Sequence, residues 1–256
     1  MSSPPFKCLF CLSTKGPFQR VEHPIPESLG NDELTLPPGF VCDPCNQYFG
    51  AKVENFVINA PPFGVERVRC DVKTKKGKHP HFKALPHIEL HTTPFKNQVV
   101  LLASPDYWSF LQNSSHLLLP YSLTDDCLLA RFLLKIGLGL LLSSNDCDPY
   151  SSQFDTARKY ARSPASKALW QIGYGTYPFS EELVISEHED EISSILTEQL
   201  YQYEIGVMAN KEVVFSFMYR THYFACNLSQ PSIEEYTSSF NLLNEMKLSI
   251  INAKNI

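Results

Sequence analysis

The chain has 256 residues, with 22 Lys and Arg against 27 Asp and Glu and a formal charge of −5. A 43% hydrophobic content with 17 Phe excludes a wholly disordered chain, and neither a collagen-like glycine period nor a solenoid-length repeat is visible. The acidity argues against a general polyanion binder, but it averages two unlike parts: residues 1–83 carry +3 and residues 84–256 carry −8.

Met1-Ser-Ser-Pro-Pro leads into Lys7-Cys8 without an apolar signal core, so a cytoplasmic location is expected. Residues 1–60 are Pro-rich and hold four of the eight cysteines. They end in a predicted helix that Asp43 can cap and Pro44 can open, with Phe49, Val53, Phe56 and Val57 as its apolar stripe. Asn59-Ala-Pro-Pro stops it. Residues 61–84 form a basic hairpin or linker: seven Lys or Arg face Glu66 and Asp71 within 66–83. Thr74-Lys-Lys-Gly-Lys reads as the turn between Val65–Val72 and a strand near Phe82.

Residues 85–256 read as a mixed α+β domain of unknown type, with a regulatory, dimerising or target-reading role. Val99-Val-Leu-Leu is a strand. Cys127–Leu142 is apolar enough to suggest a short membrane span, but Arg131 and Lys135 lie one turn apart within it. Charges there are costly in lipid, so a buried central helix from Asp125 to Leu142 is expected, and no membrane partner. Phe154–Trp170 is helical in part, interrupted at Pro164. Residues 181–198 carry seven acids and no Lys or Arg, as a solvated face or loop does. Strands follow near Tyr203–Met208, Val213–Tyr219 and His222–Leu228. A last helix starts at Ser232, where Glu235 completes a capping box.

The chemistry sits in the first segment. Cys8-Leu-Phe-Cys11 and Cys42-Asp-Pro-Cys45 are two knuckles with 30 residues between them. Four such thiolates suit tetrahedral zinc; two redox pairs are the alternative. Cys70, Cys127, Cys147 and Cys226 lack this spacing and read as small buried hydrophobes. Glu22-His23 lies inside the loop that zinc closes, and Asn46 follows Cys45. Oxygens of Glu22 and Asn46 can share a hard divalent cation, leaving His23 as a base. Neighbours on a strand face opposite sides, so only one of the pair need face the cation.

Residues 8–46 resemble an HNH endonuclease in its ββα-metal form, in the branch written Cys-x-x-Cys, Glu-His-x-Ile-Pro, Leu-Gly, Cys-x-x-Cys-Asn. The likeness runs on into Phe49-Gly-x-Lys52-x-Glu54 and covers about a fifth of the chain. It implies an α+β protein whose zinc-stapled nuclease domain occupies residues 1–60. His23 then matches the water-activating histidine, Glu22 the acidic ligand and Asn46 the helix residue completing the site for Mg²⁺ or Mn²⁺. Where the family has its middle asparagine this chain has Leu36-Pro-Pro-Gly, and Asn31 is the nearest substitute. Glu89 or Glu54 is the expected orienter of His23. Lys52, Lys73, Lys75, Lys76 and Lys78 are the candidate phosphate contacts, against a plain soluble turn as the other reading.

The implied function is a metal-dependent DNA endonuclease, as in restriction or anti-phage systems, with a homodimer or an activating protein among its partners. A zinc-ribbon module with a degenerate centre, binding DNA or protein, is the alternative. An RNase on the same fold is a third.

Overall fold

The computed structural model describes residues 6–74, 76–93, 99–107, 125–144, 147–163, 169–177, 200–244 and 246–254. Before the first helix the backbone is mostly irregular, as its prolines dictate. The two cysteine knuckles are joined by Leu9 N–H donating to Phe40 O at 2.9 Å. Glu22 and Leu36 form an antiparallel bridge through bonds of 3.1 and 2.7 Å, and this single pair stands for the two strands of a ββα unit.

The helix that follows runs unbroken from α1 (Asp43–Phe49) through a π-helical stretch, Gly50–Glu54, into α2 (Asn55–Val57). Asp43 does not cap it. Its carboxylate accepts the backbone N–H groups of Gln19 and Arg20 at 2.9 and 3.1 Å, which pins the preceding loop to the helix start. Phe49, Val53 and Val57 are fully buried, but Phe56 is 54% exposed. The wider π turn keeps positions four and eight residues on in line with Phe49 and turns the seventh outward.

The expected hairpin across Thr74 is corrected. Residues Phe63–Arg69 are a helix, α3, burying Phe63 and Val68, so the valines there follow a helical and not an alternating period. The turn itself exists: Gly77 N–H donates to Thr74 O at 2.8 Å. The strand near Phe82, β1 (His81–Leu85), pairs forward with β2 (Ile88–Thr92), which pairs with β3 (Val99–Ala103).

The long helix α4 spans Asp126–Leu140, and Asp125 caps it by accepting from the N–H groups of Cys127 and Leu128. Helix α5 is Asp155–Arg162. Trp170 lies beyond it in β4 (Leu169–Thr176). With β5 (Tyr201–Val207), β6 (Val213–Tyr219), β7 (His222–Asn227) and β8 (Ser249–Lys254), it forms an antiparallel sheet ordered β5-β6-β7-β4-β8. Helix α6 (Glu234–Leu243) lacks the expected capping box. The Ser232 hydroxyl donates to Gln171 Oε1, and Glu235 instead accepts from Asn210. The acidic run 181–198 lies outside the described residues, and no described helix is long and apolar enough to cross a membrane.

Helix α4 is the element on which both parts of the chain pack. One hydrophobic core extends from Cys8 to Ala253 and includes most of this helix. Its glycines permit the approach: a Cβ on Gly137 would lie 2.9 Å from Phe215 and Leu228, and one on Gly139 would lie 3.1 Å from Pro24. Gly137→Ala gains about 1 kcal/mol of helix propensity but overpacks against the β6 ring at a cost of about 1–3 kcal/mol. A net loss of stability is expected from denaturant unfolding; a stabilised variant contradicts this packing.

Candidate active site

Cys8 and Cys11 lie on a tight turn closed by Leu12 N–H donating to Cys8 O, and Cys42 and Cys45 flank the start of α1. Their four sulfurs all lie within 4.8 Å of one another, with Cys11 Sγ and Cys42 Sγ 3.7 Å apart. A zinc tetrahedron with bonds of about 2.3 Å has edges of about 3.8 Å, so the set fits that ion. The hydrogen bond from Cys45 holds the Cys8 thiol down to about 4, while burial pushes Cys42 up to about 11. Cys45 is raised by its bond to Cys8 and by burial. One sulfur therefore ionises at the expense of its neighbours, and a dication is what allows all four to do so.

A cleft of about 590 Å³ opens between the bridge, the α1–α2 helix and the loop after α3. Glu22, His23, Glu27, Asn46 and Glu54 line it, together with Arg67, Lys76 and Lys78. The structure thus brings the neighbours Glu22 and His23 together with Asn46, which lies more than 20 residues further along the sequence. Asn46 Nδ2 donates to Val21 O at 3.0 Å, stapling the helix start to the bridge and leaving Oδ1 as its acceptor.

Glu22 points inward and is only 5% exposed. Its Oε1 lies 2.5 Å from the ammonium of Lys135, which is also 2.7 Å from Glu54 Oε1. Burial pushes the Glu22 carboxyl up, with Lys135 pulling it back. Burial also works against the Lys135 charge, but Glu22 and Glu54 outweigh it and hold the ammonium above its ordinary value. His23 is half-buried on the same cleft, and its Nε2 lies 2.9 Å from Glu27 Oε1.

Residues 8–61 match the HNH endonuclease family. No curated protein and no solved structure matches the chain.

One expectation is corrected, the carboxylate that orients His23. The carboxylate on His23 is Glu27. Glu54 is drawn to Lys135, and Glu89 pairs with His91 on β2. Glu27 was within reach of sequence reasoning, because it follows His23 by four residues and Pro24 and Pro26 force a tight turn between them. Lys135 had a fainter signal, a cation inside an apolar helix. Of the candidate phosphate contacts, Lys76 and Lys78 line the cleft. Lys52 and Lys73 are exposed and lie outside its lining, and Lys75 falls outside the described residues.

Asn31 shapes the loop of the HNH motif. Fully buried, it donates to Ile25 O at 2.6 Å and to Leu34 O at 2.8 Å, and accepts from Leu34 N–H at 2.8 Å. Asn31→Ala orphans these buried backbone groups and is expected to cost roughly 2–4 kcal/mol in denaturant unfolding. Metal analysis of the purified chain is expected to give about one zinc, lost in Cys45→Ser together with a cooperative thermal transition. A zinc-free protein with an unchanged melt contradicts the four-sulfur site.

Proposed function

We propose that the chain is a metal-dependent endonuclease that hydrolyses DNA phosphodiester bonds in the cleft lined by Glu22, His23 and Asn46. The observation that carries this reading is the convergence of a histidine base, a carboxylate and an amide oxygen donor on one cleft within an HNH segment. Glu22 and Asn46 offer oxygen donors, the set a hard cation such as Mg²⁺ or Mn²⁺ requires. When bound, that cation supplies positive charge to a phosphoryl oxygen and to the leaving 3′ oxygen.

The chain's own residues do the rest. Glu27 holds the His23 imidazole in place, and His23 accepts a proton from water. The water oxygen bonds to phosphorus as the bond to the 3′ oxygen breaks, giving a 5′ phosphate and, after protonation by solvent, a 3′ hydroxyl. Arg67, Lys76 and Lys78 supply positive charge where the flanking phosphates enter. A single centre of this kind makes a nick.

A zinc module with a degenerate centre is the competing reading, favoured by the partial neutralisation of Glu22 by Lys135. Two carboxylates share that one ammonium, however, so the cluster keeps a net negative charge for a cation. Incubation with supercoiled plasmid and Mg²⁺ or Mn²⁺ decides between them. Nicking by the unaltered chain and a loss of about 10²–10⁴-fold in His23→Ala are expected. Plasmid left intact under both metals, or cut equally by the variant, overturns the nuclease reading.

A further inference from the structure

We propose that Lys135, from helix α4 and outside the HNH segment, is a positioning residue of the nuclease centre. It clamps Glu22 and the backbone at His23 so that Glu22 presents its second oxygen to the cleft. The inference rests on the nuclease reading above, and it adds a part that residues 8–61 do not contain.

The geometry is a four-point clamp. Besides the two carboxylates, the Lys135 ammonium donates to the carbonyl oxygens of His23 at 2.5 Å and Pro24 at 3.1 Å. Three N–H donors thus hold the side chain of the proposed ligand and the main chain of the proposed base together. Lys135 is fully buried, so water does not compete for these bonds. Since Oε1 of Glu22 is engaged, Oε2 is the oxygen left for a cation in the cleft. Helix α4 approaches this turn closely, since a Cβ on Gly139 would lie 3.1 Å from Pro24.

Stability alone is a poor account of the arrangement. Desolvating an ammonium and two carboxylates costs several kcal/mol per ion, and an apolar side chain at position 135 avoids the ammonium's share of that cost. A fixed carboxylate oxygen beside a cation is a different matter, because the groups that orient metal ligands typically change affinity or activity by about 10–100-fold.

The test uses the full zinc-loaded chain and compares Glu54→Gln with Glu54→Gln/Lys135→Met. The double variant has the net charge of the unaltered cluster and is one unit more negative than Glu54→Gln, so weaker cation binding in it reports the lost clamp and not a lost negative charge. Thermal melting and zinc content report the fold, calorimetry with Mn²⁺ alone reports the cation site, and plasmid nicking gives kcat and KM. A folded double variant is expected to bind Mn²⁺ about 10–100-fold more weakly than Glu54→Gln, with kcat reduced and KM for DNA little changed. Equal Mn²⁺ affinity and kcat in the two overturn the role of Lys135 while leaving the nuclease reading intact. An unaltered chain that neither binds Mn²⁺ nor nicks overturns both. A measurement on the unaltered chain covers a double variant that does not fold: the slowly exchanging Lys135 ammonium ¹⁵N resonance is expected to shift during Mg²⁺ titration and saturate with the midpoint of a calorimetric titration with Mg²⁺. A resonance indifferent to Mg²⁺ overturns the proposal.

Discussion

A fully buried ammonium between two carboxylates is the constraint on which the rest of the molecule turns. Lys135 cannot be left in the α4 environment without acceptors, and its acceptors come from Glu22, His23, Pro24 and Glu54. None of these groups is near α4 in the chain. The central helix of the second region therefore completes its electrostatics only when the HNH segment is docked on it. In the same way, the HNH segment gains its full set of bonds only in that docked state. Folding of the two regions is coupled through one charged atom and the apolar contacts around it.

The other end of the HNH segment shows the same dependence. Arg158 on α5 is buried and donates through Nε to Leu9 O inside the first knuckle at 2.8 Å, and Tyr150 donates to Lys7 O at 2.9 Å. A segment of about 50 residues buries too little surface to hold a rigid site alone. A four-sulfur cluster suited to zinc joins its two knuckles, and cations from α4 and α5 hold its main chain from behind. The α1–α2 helix lies between these supports, with Phe49, Val53 and Val57 in the shared core.

Much of this was legible in the sequence because the signals were local and chemical. The four cysteines, the Glu22-His23 pair and Asn46 are identified by residue type and order, and the fold places them as that order implies. Strands β5, β6 and β7 and the buried helix α4 form close to their expected spans. The failures came where a long-range partner decides the outcome. Ser232 and Glu235 have a capping-box spacing, but Gln171 and Asn210 offer them bonds from distant parts of the chain. Asp43 is diverted from its own helix by the Gln19 and Arg20 amides. Phe56 left the core because a π turn shifted the helical phase, which no residue spacing announced. Lys135 belongs with these, since nothing near it in sequence names its acceptors.

Net charge turns out to be the least informative quantity at the site. Around the cleft, Glu22, Glu27 and Glu54 are contributed by the HNH segment, and Arg67, Lys76 and Lys78 by α3 and the turn beyond it. The balance is close to zero, but the two signs come from different stretches of chain. A polyanion with a divalent cation needs both: bases for phosphates that stay uncompensated, and acids where the cation sits. The α3 helix sets that separation. Arg67 is held by Ile58 O and Asn59 Oδ1 at the end of α2, so the basic stretch is anchored to the helix that also carries Glu54 and Asn46. The position of Arg67 relative to the acids is thereby fixed, with Lys76 and Lys78 carried on the turn beyond α3. Exposed charges more than about 8–10 Å from the cleft are screened from it at physiological salt.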